Sequence, residues 1–581
     1  MSRYNLLDEQ WIEVISSKTG EQKNVSMIEL FNNADKYKCL AGDMKTQDFA
    51  LLRFLLAVLQ TVFSRVDYEG NPYTGVELND RMQQTNEVDE DDEDDYSEEV
   101  EDCWKQIWES GHFPDIVCRY LEKWRDHFYL YDDKNPFYQL TNEEMKEIVL
   151  PGKKASEFAG RNLNRLISES GNKTAMFSPV ADDQKDIMTS DQLVRWLIML
   201  QGYIGLSDKT KYKGIDMKPS KGWMFDIGGL FLEGDNLFET LMLNFIPLHP
   251  DNSYNFYKQR PCWEQSGMDN AQRLGNSEAI NNLAELYTNW SRAIYINPEH
   301  KDEEPVDLYI VKLPEILHRD NFLEPMTLWK MNHSGDNKDH FTPKVHEPDK
   351  GMWRSFGLIT LKSAMDSDQH QPAIMTNLDN ARKFIGSKWI NLQAVSMRND
   401  GNATSWVPVD EIADEMTAND LVISDSSDNG WIVRINDTVN MTKKIASIYW
   451  HFLSEVAEIR GKKPEKDGKI FIEAENEKLY QNLNEPFRMW LTGIKPKDSK
   501  DNKVSEWYET LKNIALSQAE SLVDNASTRD FTGIIKEDHI FNIFGAYKKF
   551  RNIVLKELGN RGERNGQGSE NNSRKGNKSD H

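Results

Sequence analysis

The chain reads as an α+β protein, with a large, irregular, mixed N-terminal domain over residues 1–430 and a C-terminal four-helix bundle over 431–558. Three observations predict this. The opening NLLDEQWIEV (5–14) has a short polar–apolar strand pattern and leads through VSMIELF (25–31) into the densely apolar LAGDMKTQDFALLRFLLAVL (40–59). From about 205 to 430, Gly-rich and β-branched segments alternate with polar loops. From about 437 the texture turns helical, with apolar residues recurring three and four apart.

Taken in order, residues 1–63 predict a strand pair followed by a buried helix, and 64–102 a loop-rich insertion. Within it, residues 87–102 (EVDEDDEDDYSEEVED) hold twelve carboxylates and no Lys or Arg. Such a run repels itself, so a solvated, mobile segment dispensable for any nucleic-acid recognition is expected. Residues 103–131 carry aromatic and aliphatic side chains at helical spacing, broken at Pro114. NPFYQ (135–139) closes that unit, and DQLVRWLIMLQGY (191–203) predicts a helix running into the lysine-bearing loop GLSDKTKYKG (205–214). Helical stretches near 441–460, 472–493, 504–525 and 537–558 follow, the first showing Ile445, Ile448, Tyr449, Phe452 and Val456 on one face. Four such helices with short connections predict an antiparallel bundle. The last residues, 559–581, lack apolar side chains and predict a disordered, mildly basic tail.

With 581 residues the chain is long enough for about four domains of roughly 150 residues each. Mean hydropathy is −0.69, yet 16 Trp, 20 Tyr and 25 Phe argue against general disorder. Cys39, Cys103, Cys118 and Cys262 lie far apart with no C-x-x-C, which excludes a disulfide framework or zinc knuckle and suits a reducing compartment. The longest apolar run, 50–63, contains Arg53 and Gln60 and is shorter than the roughly 20 residues of a membrane span. No N-terminal signal pattern precedes the patterned structure, so a cytoplasmic protein with no membrane partner is expected. The net charge is −25, and removing the twelve carboxylates of 87–102 still leaves −13. Any nucleic-acid contact must therefore be local, through a few loop lysines or arginines.

No H-E-x-x-H, phosphate-binding G-x-x-x-x-G-K-[ST] or G-x-S-x-G motif is present. His333, His340 and His346, with Asp336, Asp339, Glu347 and Asp349 nearby, form the closest approach to a cluster, but the stretch reads as a polar loop. No catalytic constellation, metal or cofactor is expected. A metal-dependent nuclease built on 333–349 is one alternative, and a pure scaffold subunit is another.

The opening segments closely resemble the start of the CasA family, the large subunit of the type I-E CRISPR surveillance complex called Cascade. Further patches follow in order along nearly the whole chain. HFYLYDDKNPFYQ (127–139) is similar to a family segment whose aromatics Phe128, Tyr129 and Phe137 are core anchors. SGNKTAMFSP (170–179) resembles the family loop that touches the CRISPR RNA end and the backbone subunit. There Asn172, Lys173 and Phe177 offer donors, a charge and a stacking face. GLSDKTKYKG takes the place of the family's glycine loop but substitutes Lys209, Lys211 and Lys213 for glycines, favouring phosphate and base-edge contacts. EPMTLWKMNHSGDNKDHFTPK (324–344) resembles the segment bearing the lysine finger, a role that order assigns to Lys338, with Lys330 as the fallback. MRNDGNATSW (397–406) is similar to the wedge loop, with Asn402 and Ala403 in the glutamine–alanine place. The resemblance implies a non-catalytic subunit that recognises the short PAM motif in double-stranded DNA and helps open the duplex for R-loop formation. It also implies binding to CRISPR RNA, the backbone and small subunits, and recruitment of a helicase-nuclease.

Overall fold

A computed structural model describes residues 4–164, 178, 180–205, 210–214, 220–348, 350–363, 368–386, 388–401, 408–463, 465–536 and 539–570, with 560–570 described by backbone alone. The fold is α+β and divides into two compact units. The first comprises Met1–His346, Lys362–Gly386 and Ile390–Glu415, and the second Glu347–Leu361, Ser387–Trp389 and Met416–His581.

In the first unit, β1 (Ile12–Ser16) pairs antiparallel with both β2 (Gln22–Val25) and β3 (Tyr37–Leu40). Ile12 and Val14 alternate inward, and the buried Trp11 donates its indole N–H to the Leu6 carbonyl at 2.9 Å. α1 (Met27–Asn33) is capped by Ser26, whose hydroxyl accepts from the Glu29 N–H at 3.1 Å. α2 (Lys45–Phe63) is buried on every face beyond Lys45, which marks the central helix of a large core. It is long and apolar enough to cross a membrane, longer than the apolar run 50–63 suggested, but protein covers it throughout.

The acidic run departs from expectation. α3 (Glu93–Ser110) is an amphipathic helix that starts inside it and buries Tyr96, Val100, Cys103, Trp104 and Ile107. Glu93, Asp94 and Asp95 occupy the first turn, where the positive end of the helix dipole offsets their repulsion. Tyr96 donates to the Ser64 carbonyl at 2.9 Å and meets Tyr73 edge-on, and Glu99 accepts from the Thr74 N–H and hydroxyl, both at 2.8 Å. From Glu93 onward the expected mobile insertion is thus corrected to the outer face of a packed helix. Gly111 ends it in the left-handed conformation, and α4 (Ile116–Lys123) follows Pro114 as the sequence predicts. Phe128 and Phe137 are core anchors beneath Phe54 of α2, while Tyr129 is half-buried.

After α5 (Asn142–Glu147), β4 (Ser156–Ala159), α6 (Gly160–Leu163) and α7 (Ser190–Tyr203), the chain enters β5 (Gly229–Glu233), followed by α8 (Leu237–Asn244), α9 (Gly267–Gly275) and α10 (Leu283–Tyr287). β6 (Arg292–Ile296) and β7 (Asp307–Lys312) join β4 in a sheet ordered β4-β7-β6. β8 (Trp329–Met331) and β9 (Phe341–Pro343) form a hairpin. α11 (Phe356–Thr360) falls in the second unit and α12 (Ala373–Ile385) in the first. β10 (Trp389–Asn399) and β11 (Pro408–Asn419) give the order β11-β10-β5.

In the second unit, α13 (Trp431–Ile459), α14 (Asp467–Thr492), α15 (Lys500–Asp524) and α17 (Ile543–Glu570) pack on one another near the positions the periodicity predicts. Trp507 donates to the Thr442 hydroxyl at 2.9 Å, and Phe487 stacks on Trp353 with ring centroids 4.3 Å apart. That stacking explains why 347–361 belongs with the helices. α17 starts later than expected because α16 (Thr528–Thr532) and a hairpin of β12 (Ile534–Lys536) and β13 (His539–Phe541) precede it. Its backbone also continues through Glu570, into the stretch expected to be a tail from 559.

Candidate nucleic-acid interface

α7 delivers the chain into the lysine-bearing loop through a tight neck. The Gly222 N–H donates to the Ile204 carbonyl at 2.9 Å, and a Cβ on Gly222 would lie 2.3 Å from the Gly202 carbonyl oxygen. Arg292, with no exposed surface, ties the two sides together. Its guanidinium donates to the carbonyls of Gly205 at 2.8 Å, Ser220 at 3.0 Å and Ser291 at 2.8 Å. One rigid, always-charged fork thus fixes both ends of the 205–220 segment.

Within it, Thr210–Lys213 runs beside β7. The Lys312 N–H donates to the Thr210 carbonyl at 2.9 Å, and the Tyr212 N–H to the Lys312 carbonyl at 3.0 Å. Strand alternation sends Tyr212 inward, where a Cβ on Gly275 would touch its ring, and leaves Lys211 and Lys213 exposed. Lys213 also donates its ammonium to the Glu147 carbonyl. The Thr210 hydroxyl donates to the Lys154 carbonyl at 2.9 Å, so the exposed Lys153 and Lys154 join the same basic strip. Sequence reasoning missed these two lysines, and only the fold brings them beside Lys211. Lys209 lies outside the described residues.

Lys338 stands near the tip of the β8–β9 hairpin, exposed, 3.9 Å from the Asp339 carboxylate. The tip is a built turn. Gly335 and Asp339 adopt φ values of 76° and 61°, the Lys338 N–H donates to the Gly335 carbonyl, and the Asn332 amide donates to the His340 carbonyl at 2.9 Å. Asp320 braces it from outside, accepting from the Phe341 N–H at 2.8 Å and pairing with His340. Lys330 is also exposed, on β8 opposite Thr342. At the base, His370 stacks on Phe322 at 3.7 Å and lies against Trp329 and Phe341. Burial pushes its imidazole down to about 4, helped by His249 and opposed by Asp251.

The β10–β11 hairpin carries the candidate wedge. The Asn399 side chain accepts from the Gly401 N–H at 2.9 Å, and Gly401 has φ 70°, a tight turn leading out of β10. Asn402 and Ala403 lie outside the described residues, as do Asn172, Lys173 and Phe177 of the expected RNA loop. The two hairpins meet at their bases on β5. Gly229 bridges Thr327 on one side and pairs with Val395 on the other, and a Cβ on Gly228 would lie 2.0 Å from the Lys344 carbonyl oxygen. His346 locks this seam, its ring Nε2 2.9 Å from the Gly229 carbonyl and its backbone N–H donating to Ser396.

The histidines of 333–349 therefore diverge. His333 faces Asp368 at 3.5 Å, His340 pairs with Asp320, and His346 is spent on the β5 seam. Among the described residues no three His, Cys, Asp or Glu side chains are placed to hold a metal ion, so the described members of that stretch do not converge, and Asp349 lies outside the described residues. Burial also pushes the thiols of Cys103, Cys118 and Cys262 up to about 12, so none is a poised nucleophile.

The comparisons with known proteins point one way. A family model described as CRISPR-associated protein Cse1 matches residues 5–518. A CasA/Cse1 protein of Thermus thermophilus is 26% identical over 280 residues, which is 48% of this chain and 44% of that relative's length. The crystal structure of Thermobifida fusca Cse1 is similar with a TM-score of 0.73 and 21% identity, over 96% of this chain and 98% of that one. A chain from a CRISPR RNA-guided surveillance complex is similar with a TM-score of 0.66 and 14% identity, over 95% and 99%. These structural likenesses concern the fold, and the family match, spanning most of the sequence, decides membership: the chain belongs to the CRISPR-associated Cse1 (CasA) family.

Proposed function

We propose that this chain is the non-catalytic large subunit of a type I-E CRISPR RNA-guided surveillance complex. It reads the PAM beside the target in double-stranded DNA, helps open the duplex for R-loop formation and recruits the helicase-nuclease. The observation that carries the reading is a basic strip, Lys153, Lys154, Lys211 and Lys213, on a chain of net charge −25, held by a rigid neck. Membership of the Cse1 family and the fold shared with a chain of a surveillance complex support it. In this reading the strip and Lys209 contact phosphates, Lys338 reaches a base edge, and Asn402 with Ala403 wedges at the first base pair. Asn172, Lys173 and Phe177 meet the CRISPR RNA and the backbone subunit, and the helical unit meets the small subunits.

Binding and strand opening on matched and motif-swapped duplexes test it, with the assembled complex. Lys338→Ala should cost about 1–3 kcal/mol on the matched motif and little on the swapped one. Lys211→Ala and Lys213→Ala should weaken all duplexes evenly and each lower the salt slope by about one. Asn402→Ala should spare docking and slow opening. Equal loss on both duplexes for Lys338→Ala would reduce that residue to a phosphate contact, and unchanged opening would remove the wedge.

A further inference from the structure

A cavity of about 240 Å³ opens in the first unit beside the buried Arg65–Glu264 pair, away from the loops described above. Among the described residues its wall consists of side chains ending in amides or charges, among them Gln84, Lys258, Arg260, Gln265, Arg273 and Glu285. Ligand pockets are ordinarily lined mostly by apolar side chains, so this wall suits a strongly polar occupant.

The charges decide its sign. Both wall carboxylates are already engaged. Glu264 accepts from Arg65 at 2.6 and 2.9 Å and from the Tyr120 hydroxyl at 2.6 Å, while Glu285 accepts from Arg273 Nε at 2.7 Å and the Asn282 amide at 2.9 Å. The cations are not balanced in the same way. Arg260 is half-buried and uses its backbone N–H on the Asn282 side chain at 3.0 Å, with no guanidinium partner among the described residues. Among the described residues Lys258 reaches only the Thr85 carbonyl, at 3.3 Å. The wall is therefore net positive.

Gln84 is the second, independent observation. It is 7% exposed and lines the cavity, yet its carboxamide has no hydrogen-bond partner among the described residues. Because Gln84 lines the cavity, a group held there would give that amide a partner. Gln265, half-buried on the same wall, adds another unspent amide.

We propose that this cavity binds a phosphate ester of a sugar. The Arg260 fork and the Lys258 ammonium take the phosphoryl oxygens, and the Gln84 and Gln265 amides take the sugar hydroxyls. The volume exceeds what a bare phosphate fills. Among the described residues no aromatic side chain lines the wall, so the wall offers no face on which a base could stack, and recognition stops at the sugar and phosphate. The same chemistry could arrive as a free sugar phosphate or as the end of a nucleic-acid chain. The inference does not rest on the proposed function.

Calorimetric titration of the full chain tests it, with inorganic phosphate, ribose 5-phosphate, and a tetranucleotide with or without a 5′-phosphate as probes. Ribose 5-phosphate should bind, and Arg260→Ala, a half-buried position whose loss spares the fold, should weaken it at least tenfold. Gln265→Ala should weaken it severalfold, and Gln84→Leu likewise if melting shows that variant folded. Tighter binding of the phosphorylated tetranucleotide than of its hydroxyl counterpart, lost in Arg260→Ala, identifies a nucleic-acid end as the source. Ribose 5-phosphate binding without that preference identifies a free sugar phosphate. Failure of both phosphorylated probes at millimolar concentration, or binding that Arg260→Ala and Gln265→Ala leave unchanged, overturns the site. Inorganic phosphate binding as tightly as ribose 5-phosphate overturns the role given to the amides.

Discussion

Among the described residues two guanidinium–carboxylate pairs, Arg53–Glu324 and Arg65–Glu264, lie wholly inside the first unit, and the first braces the surface that carries the lysines. Arg53 meets Glu324 at 2.6 and 2.7 Å, and Glu324 also accepts from the Trp223 indole at 2.6 Å and the Met326 N–H at 3.0 Å. One carboxylate thus joins α2 to the residues that leave the lysine loop and to those that enter the β8–β9 hairpin. Taking both charges out of water is expensive, so the pair fixes geometry more than it adds stability. Glu324→Gln, which leaves Arg53 buried and unneutralised, should cost about 3–5 kcal/mol in chemical denaturation, whereas Arg53→Met with Glu324→Leu should recover most of that. A single-variant loss under 1 kcal/mol would show that the charge is relieved locally. Lys211, Lys213, Lys330 and Lys338 were legible in the sequence as loop lysines and are exposed. Arg292 and Asp320 were not, because they act on backbone groups 87, 72 and 21 residues away that no local pattern marks.

At the scale of elements, α3 shows how composition misleads where periodicity does not. Most of its carboxylates face water, with Glu99 spent on Thr74, while Tyr96, Val100, Cys103, Trp104 and Ile107 recur at helical spacing and are buried. Deleting 87–102 removes two of those anchors and should therefore unfold or strongly destabilise the first unit. Tyr96→Ala alone should cost about 3–5 kcal/mol, read by thermal or urea melting. A deletion variant that melts like the parent would restore the view of a dispensable segment. The β8–β9 hairpin carries a different expectation. The His370 imidazole titrates near 4 in the folded protein against 6.5 ordinarily, so the unfolded chain takes up the proton first. Stability from this group is complete above pH 6.5 and drains away as the pH falls toward 4. Burial lowers His318 and His346 in the same direction, beneath the same surface. In the second unit, burial raises the Asp425 carboxyl but Ser427, Lys500 and the Trp431 N–H outweigh it, holding it down to about 2. Its contribution is full above pH 3.8 and lost only as the pH falls toward 2. Hydrogen exchange at pH 7 and pH 5 should therefore show the hairpin base opening first while the Asp425 turn stays protected. His370→Phe should flatten that difference, and an unchanged profile would remove His370 as its source.

For the whole molecule, a charge of −25 means that productive contact with a polyanion depends on placing few cations well. Co-expression with the genes for candidate partner subunits should yield a particle containing small RNA, identified by sequencing what copurifies. A chain that purifies alone and never captures RNA or another subunit would sink the assignment to a surveillance complex. Much of this molecule was legible in its sequence. The opening strands, α2, the break at Pro114, α7 and the long helices of the second unit follow from hydrophobic period and breaker residues, which act locally. Of the segments that carry the family resemblance, 324–344 contains the β8–β9 hairpin, while 165–177, 206–209 and 402–407 lie outside the described residues. What the sequence alone could not decide was which residues share a surface. Tertiary structure brings Lys153 and Lys154 beside Lys211, clamps Gly205 to Ser220 through Arg292, and scatters His333, His340 and His346 onto separate partners. The reason is physical: periodicity reports which face of an element is buried, whereas a site depends on side chains and carbonyls brought together by packing between distant elements.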